Sequence, residues 1–218
     1  MNNSLQEYLN FANKLADVAG ITSMEYFRTS LSIDNKSDES PVTIADKNTE
    51  LKIRSLIENE YPDHGILGEE FDSVNPDAEF IWVIDPIDGT RSYIAGHKDF
   101  GNLISLTQNK KPIIGIINCP AHDERWVGAK NQSSTVNQQT VNTSNVTAIE
   151  DAYIFTSGLY FDEPHLRNAV DKIKNKVRYF RYGGDCYMYG MVASGLIDIV
   201  IEDTLKAHDY MALVNVIE

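Results

Sequence analysis

Apolar residues at positions 5, 8, 9, 12, 15, 16 and 19 recur at helical spacing, which predicts an N-terminal helix with Gly20 as a stop or a tolerated interruption. Residues 32–40 are polar and read as a mobile loop or a hairpin. Thr43 stands three residues before Asp46, the spacing of a capping box, and predicts a second helix to about Glu58 with Ile53, Leu56 and Ile57 buried. The pattern then turns to strands. Phe80–Ile84 is a continuous apolar run of strand length, Leu103–Leu106 and Pro112–Asn118 follow around the turn Asn109-Lys110-Lys111, and Arg125–Ala129 adds another. Residues 131–147, rich in Asn, Gln, Ser and Thr, form either a lobe boundary or a polar hairpin. Beyond them the pattern predicts a strand at Ala152–Thr156, a helix at Pro164–Lys174 and a strand at Val177–Phe180. A helix at Asp185–Gly195, a β-branched strand at Ile197–Glu202 and a last helix from His208 complete the series. Interleaved strands and helices define an α/β class. The 218 residues suffice for one unit, 1–218, with lobes at about 1–130 and 148–218.

Charge and cysteine content narrow the function. Thirty-two acids against nineteen bases leave −13, a field that repels nucleic acid and anionic membrane, so neither is expected as a partner. The longest apolar run, Ile113–Ile117, is far too short to span a bilayer, and the first residues do not read as a signal peptide. Cys119 and Cys186 make neither a disulfide framework nor a zinc set, which points to a reducing cytoplasm. His64, His97, His122 and His165 are scattered without zinc spacing, and Arg91 carries no assignment.

The stretch Asp85-Pro86-Ile87-Asp88-Gly89-Thr90 follows directly on a strand, where α/β folds gather ligands. Pro86 fixes the exit angle, and Asp85, Asp88 and the Ile87 carbonyl present three hard oxygens suited to Mg²⁺. Gly89 and Thr90 open the next turn, whose backbone N–H groups suit a phosphate. An Asp-capped turn without a ligand fits the same residues. Gly68-Glu69-Glu70 ends another apolar run, and Asp46 and Asp209 stand at helix starts, where each could equally be a cap.

Taken together, Asp85-Pro86-Ile87-Asp88-Gly89-Thr90, Gly68-Glu69-Glu70 and Val42-Thr43-Ile44-Ala45-Asp46 resemble the inositol monophosphatase family, with Gly183-Gly184-Asp185 and Glu202…Asp209 matching its later landmarks. The resemblance runs from about residue 5 to the last residue. It implies the layered αβαβα sandwich shared with fructose-1,6-bisphosphatase and a Mg²⁺-dependent, Li⁺-sensitive phosphomonoesterase with two or three ions per site. Glu69, Asp85 and the Ile87 carbonyl would hold one ion, and Asp85, Asp88 and Asp209 a second. Asp46 and Thr90, with Glu69, would prepare the attacking water, and the phosphate would sit by Asp88 on the N–H groups of Gly89 and Thr90.

Gly183-Gly184-Asp185-Cys186-Tyr187-Met188-Tyr189 and His208-Asp209 look more like the histidinol-phosphate phosphatase branch than the inositol branch. Asp185 and Glu202 could pair with the substrate ammonium and Tyr187 face its imidazole, beside Gly184. Asp185 as a simple helix cap and Tyr187 and Tyr189 as core are the plain alternatives. No basic cluster stands ready for a second phosphate. A homodimer acting on a small phosphorylated metabolite is expected, with a catalytically inactive binding subunit as the alternative.

Relative to the resemblance, the sequence stops at Glu218 inside the helix that Asp209 begins, where further elements of the second sheet are expected, and the Gly-rich turn after residue 128 is replaced by polar residues. Such a chain is expected to leave a sheet edge uncovered.

Overall fold

The computed structural model describes residues 3–30, 33–35, 41–158 and 163–218. Helix α1 (Asn3–Tyr26) passes straight through Gly20. Burial of Ala19 before it and of Thr22 and Ser23 beyond it outweighs the roughly 1 kcal/mol helix cost of one glycine. Strands β1 (Ile33–Asn35) and β2 (Pro41–Thr43) pair antiparallel; residues 36–40 of the expected loop or hairpin lie outside the described residues. Thr43 then caps α2 (Ile44–Glu60) as its spacing predicts.

The central sheet has the order β3-β4-β5-β6-β7-β8-β9. Strand β3 (Gly65–Gly68) runs parallel to β4 (Phe80–Asp88), and β5 (Gly101–Gln108), β6 (Lys111–Cys119) and β7 (Glu124–Ala129) continue antiparallel. The polar segment after β7 resolves as a hairpin, β8 (Thr135–Val136) and β9 (Gln139–Thr140). Its turn residues Asn137 and Gln138 both have positive φ, the backbone of a tight two-residue hairpin turn.

Both faces of this sheet are covered, which is why β5 and β6 read as apolar runs without alternation. On one side α1 and α2 bring Phe11, Leu15, Ile53 and Ile57 onto Trp82, Ile84, Ile104 and Ile116. On the other, α5 (Asp185–Ala193) and α6 (Ala207–Ile217) bring Ala193, Ala212, Leu213 and Val216 onto Leu103, Ile117 and Trp126. A second, parallel sheet has the order β11-β10-β12, from β10 (Tyr153–Thr156), β11 (Tyr179–Tyr182) and β12 (Ile199–Val200). Helix α4 (Pro164–Lys174) connects β10 to β11, and α5 packs on this sheet through Met188 and Val192 against Phe155. The result is the layered α/β sandwich expected. Within the described residues β11 starts two residues later than expected, and β12 is shorter than the β-branched run.

Helix α6 sits unusually close to its sheet. Gly115 and Gly128 face each other across β6 and β7, and a Cβ on either would lie 2.0 Å or 1.9 Å from the carbonyl oxygens of Ala212 and Asn215. The glycine pair is thus a saddle on which the helix backbone rests, and it sets the height at which α6 presents its first turn.

Candidate metal centre

Strand β4 extends three residues beyond the apolar run, through Asp88, because it continues to pair with β5 across a bulge. Asp85 lies opposite Leu103 and Asp88 opposite Gly101, so two residues of β4, Pro86 and Ile87, face only Asn102. Pro86 has no N–H to give to the ladder, and its carbonyl accepts from Asn102 Nδ2 at 2.7 Å. Asn102 is held in turn by Asn118 Nδ2 (2.8 Å), and Asn118 Oδ1 accepts from Arg125 Nε (2.9 Å). This buried amide relay props the bulge from behind. Asp85 Oδ1 accepts from the Ile87 N–H at 3.0 Å, closing the turn from the front.

The bulge brings Asp85 and Asp88 to one side, and the first turn of α6 delivers Asp209 to them; ligand oxygens of the three lie within 4.8 Å of one another. Each carboxyl is pushed above its ordinary range. For Asp85 the largest cause is burial, followed by the charges of Glu69, Asp88 and Asp209. For Asp88 it is burial, then Asp185 and Asp209, opposed by the Cys186 N–H donating to Oδ2 at 2.7 Å. Asp209 is raised by burial, with the Lys206 N–H (2.6 Å) opposing. A crowded, all-carboxylate donor set of this kind fits a hard divalent ion.

Asp209 is a helix cap and a pocket residue at once, whereas Asp46 caps α2 and reaches the pocket only through Thr90. Asp46 is wholly buried; its Oδ2 takes the Thr43 N–H and hydroxyl at 2.8 and 2.6 Å, while Oδ1 lies 3.3 Å from Thr90 Oγ1. Burial raises its pKa and the Thr43 bonds lower it. Thr90 Oγ1 also lies 3.1 Å from the Ile87 carbonyl, so its one hydrogen chooses between that carbonyl and Asp46. Thr90 opens the short helix α3 (Thr90–Ile94), which the sequence pattern does not signal; Gly89 before it has φ 81°.

A depression of about 350 Å³ is lined by Glu69, Asp85, Ile87, Asp88, Gly89, Thr90, Asp185 and Asp209, together with Arg91 and His208. A smaller cavity of about 170 Å³ adjoins it, bounded by Asp88, Ser157, Asp185, Tyr189, Glu202 and Asp209. Gly184 caps α5 and turns the chain into Asp185, whose Oδ2 lies 2.5 Å from Ser92 Oγ and whose carboxyl is raised chiefly by burial. Glu202 accepts from Tyr189 Oη at 2.6 Å and from the Ser157 N–H at 3.2 Å.

Tyr187, expected to face a substrate ring, turns away instead. Its hydroxyl donates to Glu124 (2.7 Å) and its ring stacks on His122, because its side of α5 packs toward the central sheet near Trp126. Tyr189, two residues on, takes the place beside the cavity. Ser92 and the Asn102–Asn118 relay are additions to the residues read from the sequence, and Tyr189, read there as core, borders the cavity instead. Two asparagines inside otherwise apolar strands were the available signal for the relay, since buried amides in such strands must find partners.

Comparison with known proteins gives the same placement for the whole chain. The family profile described as "Inositol monophosphatase family" matches residues 4–218. The Bifunctional phosphatase IMPL2, chloroplastic, of Arabidopsis thaliana is 39% identical over 98% of this chain; this chain spans 62% of its length. A histidinol-phosphatase of Chlorobaculum parvum is 34% identical over 96% of this chain and 82% of its own length. A solved inositol monophosphatase from Zymomonas mobilis is 41% identical, with a TM-score of 0.89 over 99% of this chain and 83% of that one. With the fold, the acidic centre and the match over residues 4–218 in agreement, the chain belongs to the inositol monophosphatase family.

Proposed function

We propose that the chain is a Mg²⁺-dependent phosphomonoesterase whose substrate is L-histidinol phosphate, released as L-histidinol and phosphate. The observation that carries the phosphatase reading is the convergence of Asp85, Asp88 and Asp209 on one spot beside Gly89 and Thr90. Glu69, Asp85 and the Ile87 carbonyl would hold one ion, and Asp85, Asp88 and Asp209 a second. When bound, Mg²⁺ supplies neutralisation of the phosphate dianion, acidification of a water and stabilisation of the leaving oxygen. The chain's residues do the rest. Thr90 Oγ1 accepts a hydrogen bond from the attacking water, and its own hydrogen points to Asp46 Oδ1, which holds the negative end of that relay. Glu69, which lines the same depression, would help orient that water, and the N–H groups of Gly89 and Thr90 would receive the phosphate beside Asp88.

The substrate reading rests on the chamber bounded by Asp185 and Glu202. Two carboxylates there, one braced by Ser92 and the other by Tyr189, suit an ammonium group and have no charge to meet on an inositol ring. The relative named histidinol-phosphatase supports this choice. Inositol 1-phosphate is the second reading, favoured by the inositol monophosphatase structure at 41% identity. On the same reading we infer a cytoplasmic location, supported by two buried cysteines that remain free thiols, and a homodimer, the commonest assembly of soluble enzymes. The test is phosphate release from histidinol phosphate, inositol 1-phosphate and a bisphosphate nucleotide, with and without chelator. Histidinol phosphate should be preferred and the chelator should abolish release. Inositol preference would overturn the substrate, and Mg²⁺ binding without turnover of any ester would favour an inactive binding member.

A further inference from the structure

Asp46, Glu50 and Arg54 follow one another at four-residue spacing along the buried side of α2, with relative exposures of 0%, 0% and 6%. The ion pair of the last two is closed, with Arg54 Nε 2.7 Å from Glu50 Oε1. A buried pair of this kind is tolerated only when its remaining donors and acceptors are satisfied. Here they are satisfied by the chain that follows Glu69. Glu50 Oε2 accepts the Glu70 N–H at 2.8 Å, while the two terminal nitrogens of Arg54 donate to the carbonyls of Phe71 (2.9 Å) and Asp72 (3.0 Å). On the other side Gly68 lies flat on the pair: a Cβ there would fall 1.9 Å from Glu50 Oε1 and 2.8 Å from an Arg54 nitrogen.

Glu69 is therefore gripped through both its neighbours by a single buried ion pair, and its side chain emerges into the depression beside Asp85. We propose that Glu50 and Arg54 are positioning residues for Glu69, so that α2 fixes both the water-orienting carboxylate Asp46 and the cation-facing carboxylate Glu69. The inference rests on the reading of Glu69 as a cation ligand given above. Partners one step behind a ligand set its orientation, and their loss costs about 10–100-fold in metal affinity or activity.

The experiment is calorimetric Mg²⁺ binding to the full chain for the wild type, Glu69→Gln, Glu50→Gln and Glu50→Gln/Glu69→Gln, with Arg54→Lys as a milder variant that keeps the buried charge. Circular dichroism checks folding of each. The expected result is about tenfold or more weaker binding in Glu50→Gln and Arg54→Lys, and no further loss when Glu50→Gln is added to Glu69→Gln. Phosphate release should show the same rise in the Mg²⁺ concentration needed for half-maximal rate. Unchanged binding in folded Glu50→Gln and Arg54→Lys, or a loss that simply adds to that of Glu69→Gln, would overturn the positioning role while leaving Glu69 as a ligand. If Glu69→Gln itself binds Mg²⁺ like the wild type, the reading of the site fails, and this proposal fails with it.

Discussion

Adding Mg²⁺ to the cation-free chain should raise its melting temperature, and by more at pH 8 than at pH 5. Ligand oxygens of Asp85, Asp88 and Asp209 lie within 4.8 Å of one another, and two unit charges at that separation repel by about 3.5 kcal/mol at an effective dielectric of 20. Burial first, and the charges of neighbouring acids after it, hold all three carboxyls above their ordinary range, so the folded chain keeps protons to higher pH than the unfolded one. Groups whose folded pKa is raised contribute stability that is complete below the unfolded pKa and is lost as pH rises through the folded one. As pH rises toward 8 that contribution declines and the crowded carboxylates strain the fold, so a cation that balances their charge restores more there than at pH 5. Mg²⁺ at a hundred times its dissociation constant adds about 2.7 kcal/mol, which for a chain of this size is about 5–11 °C. Differential scanning fluorimetry at both pH values, on wild type and Asp85→Asn, reads the effect directly. Asp85→Asn removes the most crowded charge; without cation it should melt no lower than wild type at pH 8, and its gain from Mg²⁺ should shrink. Equal gains in the two proteins, or a larger gain at pH 5, would refute the reasoning.

Asp46→Asn keeps an oxygen for the Thr43 cap but cannot take a proton, so initial-rate assays should show phosphate release falling about 10²–10⁴-fold with little change in melting temperature. Thr43→Ala should do the reverse, costing about 0.5–2 kcal/mol in denaturant titration through loss of the α2 cap. Gly115→Ala forces a methyl to 2.0 Å from the Ala212 carbonyl; urea unfolding should show a loss of about 1–3 kcal/mol, and calorimetry weaker Mg²⁺ binding because Asp209 rides on the displaced helix. His64 accepts from the Trp82 indole at 3.2 Å and is held below the ordinary histidine pKa, chiefly by burial, with Asp63 and Glu79 opposing. Its stabilising contribution is present above the ordinary histidine pKa and lost as pH falls through the lowered folded value, so unfolding titrations followed by tryptophan fluorescence should show a loss on acidification that His64→Phe reduces.

The local sequence determined those features whose cause is local. Helix α2 begins where Thr43 and Asp46 make a capping box, the two-sided apolar runs of β5 and β6 mark a covered sheet, and Asp85-Pro86-Ile87-Asp88 marks the acidic turn. How Asp46 and Asp209 combine capping with a place at the site was decided only in three dimensions, since a carboxylate has two oxygens: Asp46 gives one to the helix and turns the other to Thr90, while Asp209 caps α6 and stands among the other acids. Which tyrosine of α5 borders the cavity was likewise beyond local reading. Tyr187 and Tyr189 are two residues apart and so point to different sides of a helix, and only the packing of α5 between the two sheets decides which side meets Glu202. The depth of α6 on the Gly115–Gly128 saddle, the Asn102–Asn118 prop behind the bulge and the Glu50–Arg54 grip on Glu69 are long-range contacts. Their partners are brought together by sheet register and helix docking, to which spacing along the chain is blind.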